Sequence, residues 1–308
     1  MLALLCGGQG LVSPHMFDVT TDAPAAAPVF ASASHLLGQD PRQLVRNMAA
    51  EALSSNRRNQ ILSVTAALAT YAAIADMLPE NFIVTGYSVG EMAAWSIAGI
   101  WSVEQALNLT CRRACIMDEA GLTPGRLVYV RGLTRSAVEM LAARNGAEIA
   151  IINPGDLFVL GMAEDNVPGF CQAAAAAGAV KAEPLAVHVA AHTSLLQSGV
   201  LPFMARLRES APAMPQEGRI LLAGGNGSRV FRVDSAIKGL AAQIATPIDW
   251  AGTIEALAEY GVDTVLDLGP GAALAPMVNA ARSTFNAHAA ADFRSLEGLR
   301  SWLSKQSN

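Results

Sequence analysis

The stretch Gly86-Tyr87-Ser88-Val89-Gly90 constrains this chain most, because of what stands on either side of it. Phe82-Ile83-Val84-Thr85 is apolar and β-branched and reads as a buried strand; residues 92–100 have the composition of a helix. A strand running through a tight turn into a helix is the building unit of a parallel α/β sheet. Gly86 and Gly90 suit a turn so sharp that Cβ atoms would collide in it. The serine at the apex is then open to approach, next to the N–H groups and positive dipole end of the helix.

Serine is a poor nucleophile unless a base lies within hydrogen-bond reach. Given one, the helix N-terminus can stabilise the oxyanion of a tetrahedral intermediate, so Ser88 is read as the nucleophile of an acyl-transfer reaction. The base must be one of five histidines. His15 and His35 fall in an N-terminal stretch expected to be exposed, and His288 lies near the C-terminus. His188 and His192 sit where a strand leaves a small inserted unit, and His192 is favoured because clefts form at such junctions.

The rest of the chain supports an α/β body. Its 308 residues fit one such body with an insertion, and 52% hydrophobic against 15% charged residues allow a large core. Leu2–Cys6 reads as a first strand ending in Gly7-Gly8-Gln9-Gly10, and residues 11–40, rich in Ala, Pro, Ser and Asp, as a surface excursion. Residues 60–77 show a helical stripe of Ile61, Val64, Leu68, Tyr71 and Ile74, ended by Pro79. A further helix spans 103–119. After Thr123-Pro124-Gly125 the pattern changes to strand 126–132, helix 136–145, a hairpin of 148–152 and 157–161, helix 167–178 and strand 182–187. That βαββαβ order predicts a ferredoxin-like insertion. The expected large unit is 1–124 with 193–308, and the small one 125–192.

On the 103–119 helix, Ala106, Leu109, Arg113, Met117 and Ala120 share one face. A guanidinium on an apolar stripe is costly to bury without an anion. Arg113 is therefore either half of a structural ion pair or a group held for a substrate carboxylate, whereas Arg112 faces elsewhere.

Composition also excludes several classes. With a net charge of −5 and no dense basic stretch, nucleic acid is not an expected partner. Cys6, Cys111, Cys115 and Cys171 lack histidines at zinc-ligand spacing and are expected to be small buried thiols of a cytoplasmic protein, with no metal. The N-terminus lacks the cationic region of a signal peptide, and no uninterrupted apolar run reaches about twenty residues, so no membrane span is expected.

Taken in order, these motifs resemble the malonyl-CoA:acyl-carrier-protein transacylase family over nearly the whole chain. Gly8-Gln9-Gly10 is similar to its N-terminal Gly-Gln-Gly loop, Gln60 to the glutamine opening its next helix, and Gly86–Glu91 to its Gly-His-Ser-Leu-Gly-Glu. Arg113 with Met117, Asn153-Pro154-Gly155, Ala191-His192, Gln243 with Pro247 and Trp250, and Leu268-Gly269-Pro270-Gly271 follow its remaining signatures. Tyr87 in place of histidine, Cys6-Gly7 in place of Phe-Pro and Ala114 in place of glycine depart from the pattern. With Ala93-Ala94-Trp95 after it, the serine motif is closest to the epsilon (transacylase) subunit of bacterial malonate decarboxylase.

The resemblance implies an α/β-hydrolase-like large subdomain with a parallel sheet, plus an inserted ferredoxin-like small subdomain. It implies that Ser88, His192 and Gln243 carry catalysis, Gln243 presenting a main-chain or side-chain oxygen to the histidine. Arg113, Gln9, Val89, Gln60 and Asn153 would bind substrate, with backbone N–H groups of Val89 and Gln9 forming the oxyanion hole. The implied donor is malonyl-CoA and the partner an acyl carrier protein with a CoA-derived thiol arm, with other malonate decarboxylase subunits as further partners and no permanently bound cofactor. Three rivals stand beside this reading, the nearest being a malonyl transacylase of fatty-acid or polyketide synthesis; the other two belong to different classes. An α/β-hydrolase would use Ser88, then Asp263 or Asp267, then His288; a non-catalytic assembly subunit would need none of these residues.

Overall fold

The computed structural model of the protein describes residues 1–10, 12–49, 53, 55–121 and 123–306. The chain begins with β1 (Leu2–Cys6), α1 (Ala27–Leu37), α2 (Pro41–Asn47), α3 (Asn56–Ile74), β2 (Phe82–Gly86), α4 (Gly90–Ile97) and α5 (Val103–Ala120). A middle block follows, of β3 (Gly125–Arg131), α6 (Arg135–Arg144), β4 (Ala147–Ile152), β5 (Leu157–Ala163), α7 (Val167–Ala176) and β6 (Lys181–Pro184). The last part holds α8 (Val200–Glu209), β7 (Arg219–Leu221), α9 (Val233–Ala242), β8 (Ile248–Asp249), α10 (Trp250–Glu259), β9 (Thr264–Asp267), α11 (Leu274–Ala281), β10 (Asn286–Ala289) and α12 (Leu296–Gln306).

The first of two sheets has the order β10-β9-β1-β2-β7, and every neighbouring pair is parallel. β1 and β2 are buried along their whole length, as unbroken apolar runs require when helices cover both faces. Their register, Leu5 beside Thr85 and Cys6 beside Gly86, brings the glycine loop after β1 level with the turn after β2.

The second sheet has the order β6-β3-β5-β4-β8. β3, β4, β5 and β6 pair antiparallel in the ferredoxin-like order, over a separate core that includes Val128, Val130, Phe158, Leu160 and Phe170. β8 comes from outside the insertion and runs parallel to β4, Ile151 beside Ile248. This short pairing ties the small sheet to the chain that re-enters the large body.

The structure corrects several expectations. The surface excursion expected over 11–40 is in large part packed structure: Phe17 and Phe30 are buried edge-to-face at 5.4 Å, and α1 buries Val29, Phe30 and Ala33. Small residues there let α1 approach α3 and α5 closely. α3 is buried nearly all round, Leu62, Thr65 and Ala66 included, because α1, α4 and α5 surround it; a one-sided stripe does not describe it. Asn56–Met77 is long and apolar enough to cross a membrane, and most of it is instead inside the fold. The 92–100 helix ends at Ile97, and the 182–187 strand stops at Pro184. Of the cysteines only Cys6 is buried; the other three are half-buried free thiols.

Candidate active site

Ser88 sits between β2 and α4 with φ 56°, a left-handed conformation that costs a side-chain-bearing residue free energy and persists where its surroundings enforce it. The glycines show what enforces it. A Cβ on Gly86 would lie 2.2 Å from the Glu91 nitrogen, and one on Gly90 2.1 Å from the Cys6 carbonyl oxygen. Only bare backbone fits, so the chain folds back over the end of β1 and lifts the serine clear of the sheet.

His192 is also left-handed, at φ 64°, and only 1% exposed. Its backbone N–H donates to Ile244 O at 2.8 Å, and its Nδ1 lies 2.6 Å from Gln243 O. A carbonyl can only accept, so Nδ1 carries the proton and Nε2 is left bare. Nε2 lies 2.7 Å from Ser88 Oγ, where it can accept the hydroxyl proton. Burial, reinforced by the positive charge of Arg113, pushes the imidazole pKa down to about 3 and keeps the ring neutral. Gln243 therefore meets the histidine through its main chain; its side-chain Nε2 donates to Glu91 Oε2 at 2.5 Å.

Arg113 is 1% exposed on α5. Nη1 donates to Gln60 Oε1 at 2.7 Å, whereas Nη2 is buried without an acceptor among the described residues. Gln60 is held in turn by Asn56 Oδ1 at 2.7 Å and Met117 Sδ at 3.5 Å. Burial pulls the guanidinium pKa down to about 10, opposed by the charge of Glu91, so it stays cationic at neutral pH. No carboxylate among the described residues forms an ion pair with it. The arrangement is a buried cation with an open donor, which an incoming anion would complete.

The glycine loop is anchored by Gly10 N–H donating to Asn59 Oδ1 at 3.1 Å. The main-chain N–H groups of Gln9 and Val89 donate to no protein acceptor among the described residues. Beside the loop is a cavity of about 300 Å³ lined from both sheets, by Gln9, Tyr87 and Met277 on one side and Tyr129, Asn153 and Val159 on the other. Asn153 is 2% exposed and its Oδ1 has no partner among the described residues. Tyr87 packs edge-to-face on Trp250 at 5.2 Å. The fold thus joins Ser88, His192 and Gln243 directly, pairs Arg113 with Gln60, and places Gln9 and Asn153 on one cavity.

The other candidates lie elsewhere. His15 and His35 are exposed, and His188 contacts Arg126 Nη1 at 3.0 Å. His288 packs against Phe293 and Trp302. Asp263 pairs with the N-terminal amine, and Asp267 accepts N–H groups of Gly269, Leu274 and Ala275. The hydrolase order of Ser88, aspartate and His288 is therefore not assembled, because the serine's partner is His192.

Glu91 was given no role on sequence grounds. It is 2% exposed, and burial raises its pKa to about 7. Oε2 accepts from Gly224 N and Gln243 Nε2, and Oε1 from Trp95 Nε1. A lone acid between Val89 and Ile97, in an otherwise apolar helix, was the signal available.

No family model matches the chain. The malonyl CoA-acyl carrier protein transacylase of Escherichia coli K12 is 27% identical over 303 residues, 93% of this chain and 94% of that protein. A crystal structure of the acyl-carrier-protein S-malonyltransferase from Burkholderia pseudomallei superposes with a TM-score of 0.89 at 25% identity, covering 98% of this chain and 99% of the other. A malonyl-transacylase in complex with its type II PKS acyl-carrier protein shares the fold with a TM-score of 0.89 at 24% identity, covering 100% of this chain and 99% of that one. In sequence over more than nine-tenths of its length, and in fold over nearly all of it, this chain is similar to malonyl CoA-acyl carrier protein transacylases.

Proposed function

We propose that this protein is an acyltransferase that moves a malonyl group from malonyl-CoA, through an ester on Ser88, to the thiol of an acyl carrier protein. The observation that carries the reading is the buried Arg113 guanidinium, its Nη2 unpaired among the described residues, in the charge environment of the Ser88–His192 pair. A carboxylate on the acyl group satisfies that donor, and the names of the relatives agree with a malonyl donor.

In the first half-reaction His192 Nε2 takes the Ser88 proton while Oγ attacks the thioester carbonyl. The N–H groups of Val89 and Gln9 receive the developing oxyanion. As the intermediate collapses, the C–S bond breaks and His192 returns the proton to the CoA sulfur. In the second half-reaction the carrier thiol gives its proton to His192 and attacks the ester carbonyl. The C–O bond breaks, and Ser88 Oγ recovers the proton. The Gln243 carbonyl keeps the proton on Nδ1 throughout, the part an aspartate plays in a Ser-His-Asp triad. The cavity lined by Gln9 and Asn153 would take the thiol arm.

For the acceptor we favour the carrier subunit of a malonate decarboxylase, on the strength of Tyr87 and Ala93-Ala94-Trp95 around the nucleophile. A carrier of fatty-acid or polyketide synthesis is the alternative; the relatives are named for an acyl carrier protein, and the complex holds a type II PKS acyl-carrier protein. Incubation with malonyl-CoA followed by mass spectrometry tests the first half: a malonyl adduct on Ser88, absent in Ser88→Ala, is expected. Hydrolysis without an adduct would sink the transferase reading. Offering both carrier types to the loaded enzyme, and comparing transfer rates, decides the acceptor.

A further inference from the structure

The Ser88–His192 pair is oriented by a neutral carbonyl, so something else must hold that carbonyl in place. The segment at residues 243–244 makes both contacts to the histidine: Gln243 O to the ring and Ile244 O to the backbone N–H. It lies just beyond α9, where the helix has ended and the carbonyls are no longer bound within it. The side chain of Gln243 ties this segment inward through one hydrogen bond, from Nε2 to Glu91 Oε2, while its Oε1 has no partner among the described residues. Glu91 in turn stands in the first turn of α4, three residues after Ser88. The same oxygen takes the N–H of Gly224, whose backbone crosses Gly86 so closely that a Cβ there would lie 1.8 Å from the Gly86 oxygen.

From these contacts we propose that Glu91 is a positioning residue for the base, clamping Gln243 so that its main-chain carbonyl stays on His192 Nδ1. One carboxylate then links the helix that follows the nucleophile, the loop that braces the turn, and the segment that aims the imidazole. A carboxylate suits the position because all three of its partners are N–H donors and two converge on one oxygen. It also stands at a helix N-terminus, where negative charge is favoured. The clamp rests on the Ser88–His192 geometry rather than on the identity of the acyl group.

The test compares Glu91→Gln, Glu91→Ala and Gln243→Ala in the full-length protein. The readouts are labelling of Ser88 by a fluorophosphonate, which reports nucleophilicity whatever the natural acyl donor, and the downfield Nδ1–H proton resonance of His192. Glu91→Gln can place its amide oxygen where Oε2 now sits, and it is expected to label within about fivefold of the parent with the resonance retained. Glu91→Ala and Gln243→Ala are each expected to slow labelling by at least about tenfold and to shift or broaden the resonance. The double alanine variant should be no slower than the worse single one, as for two members of one unit. Parental labelling in both alanine variants would overturn the proposal, as would a Glu91→Gln variant as slow as Glu91→Ala. If Glu91→Ala does not fold, Gln243→Ala alone decides. Loss of malonyl transfer with fluorophosphonate labelling intact would count against the proposed donor and leave the clamp standing.

Discussion

Arg113 Nη1 donates to Gln60 Oε1 at 2.7 Å, while Nη2, on the same buried guanidinium, has no acceptor among the described residues. A neutral amide fixes where the cation sits without cancelling its charge. The fold thus holds a desolvated positive group oriented by Gln60, and Gln60 is itself fixed by Asn56 and Met117. If it receives the acyl carboxylate as proposed, such a site discriminates through what it would otherwise leave unpaired.

Arg113→Ala is accordingly expected to raise the barrier to malonyl transfer by about 2–4 kcal/mol. Acetyl transfer, expected to be slow in the parent because it leaves the guanidinium unpaired, should not fall with it. Initial rates with malonyl-CoA and acetyl-CoA measure both, and undiminished malonyl turnover in the variant would refute the assignment of Arg113.

The buried histidine makes stability depend on pH. Its pKa, pushed from the ordinary 6.5 to about 3, leaves it neutral in the folded chain. Above pH 6.5 neither state holds the extra proton and the group contributes nothing. As pH falls from there towards 3 the unfolded chain gains a proton that the folded chain refuses, so stability declines. Glu91, raised from 4.5 to about 7, and Asp267, raised from 3.8 to about 6, act in the opposite sense. Within those windows the folded chain keeps a proton the unfolded chain has lost, so stability declines as pH rises. His192→Gln should therefore improve its Tm relative to the parent more at about pH 4.5 than at about pH 8. Equal differences at the two pH values would contradict a buried neutral imidazole.

Gly90→Ala should be among the most damaging single-methyl additions in the chain. The added Cβ would meet the Cys6 carbonyl oxygen at 2.1 Å, and since that neighbour is backbone there is no flexible side chain to give way. A loss of about 3 kcal/mol or more of folding stability is expected, together with slower labelling of Ser88. Urea denaturation measures the first; a parental midpoint would show that the turn relaxes freely.

Tyr87→Phe keeps the ring on Trp250 and removes only the hydroxyl, from a side chain that lines the same cavity as Asn153. It should cost about 1 kcal/mol in thermal unfolding, with the malonyl-Ser88 adduct still formed. Loss of the adduct would give the hydroxyl a part in the chemistry instead of in packing.

The local elements were legible in the sequence because each is written in one contiguous stretch. Unbroken apolar strands, two glycines around a serine, and an arginine on a helical stripe pointed to a parallel sheet, a sharp turn and a buried cation. Local pattern misled where burial depends on distant partners. Residues 11–40 look polar and irregular, yet Phe17 and Phe30 find each other and the helices beneath them.

Tertiary structure alone decided which histidine meets Ser88, since His192 and Ser88 are 104 positions apart and nothing local distinguishes His192 from His288 in chemistry. It likewise decided that Gln243 meets His192 through its carbonyl, because a main-chain group carries no residue-specific signature in a sequence. The same holds for Glu91 and Gln243, joined across 152 positions by the packing of α4 against the end of α9. Residue type and spacing determined which chemistry the chain could carry; the long-range close approach of backbone segments determined which of its residues stand together to do it.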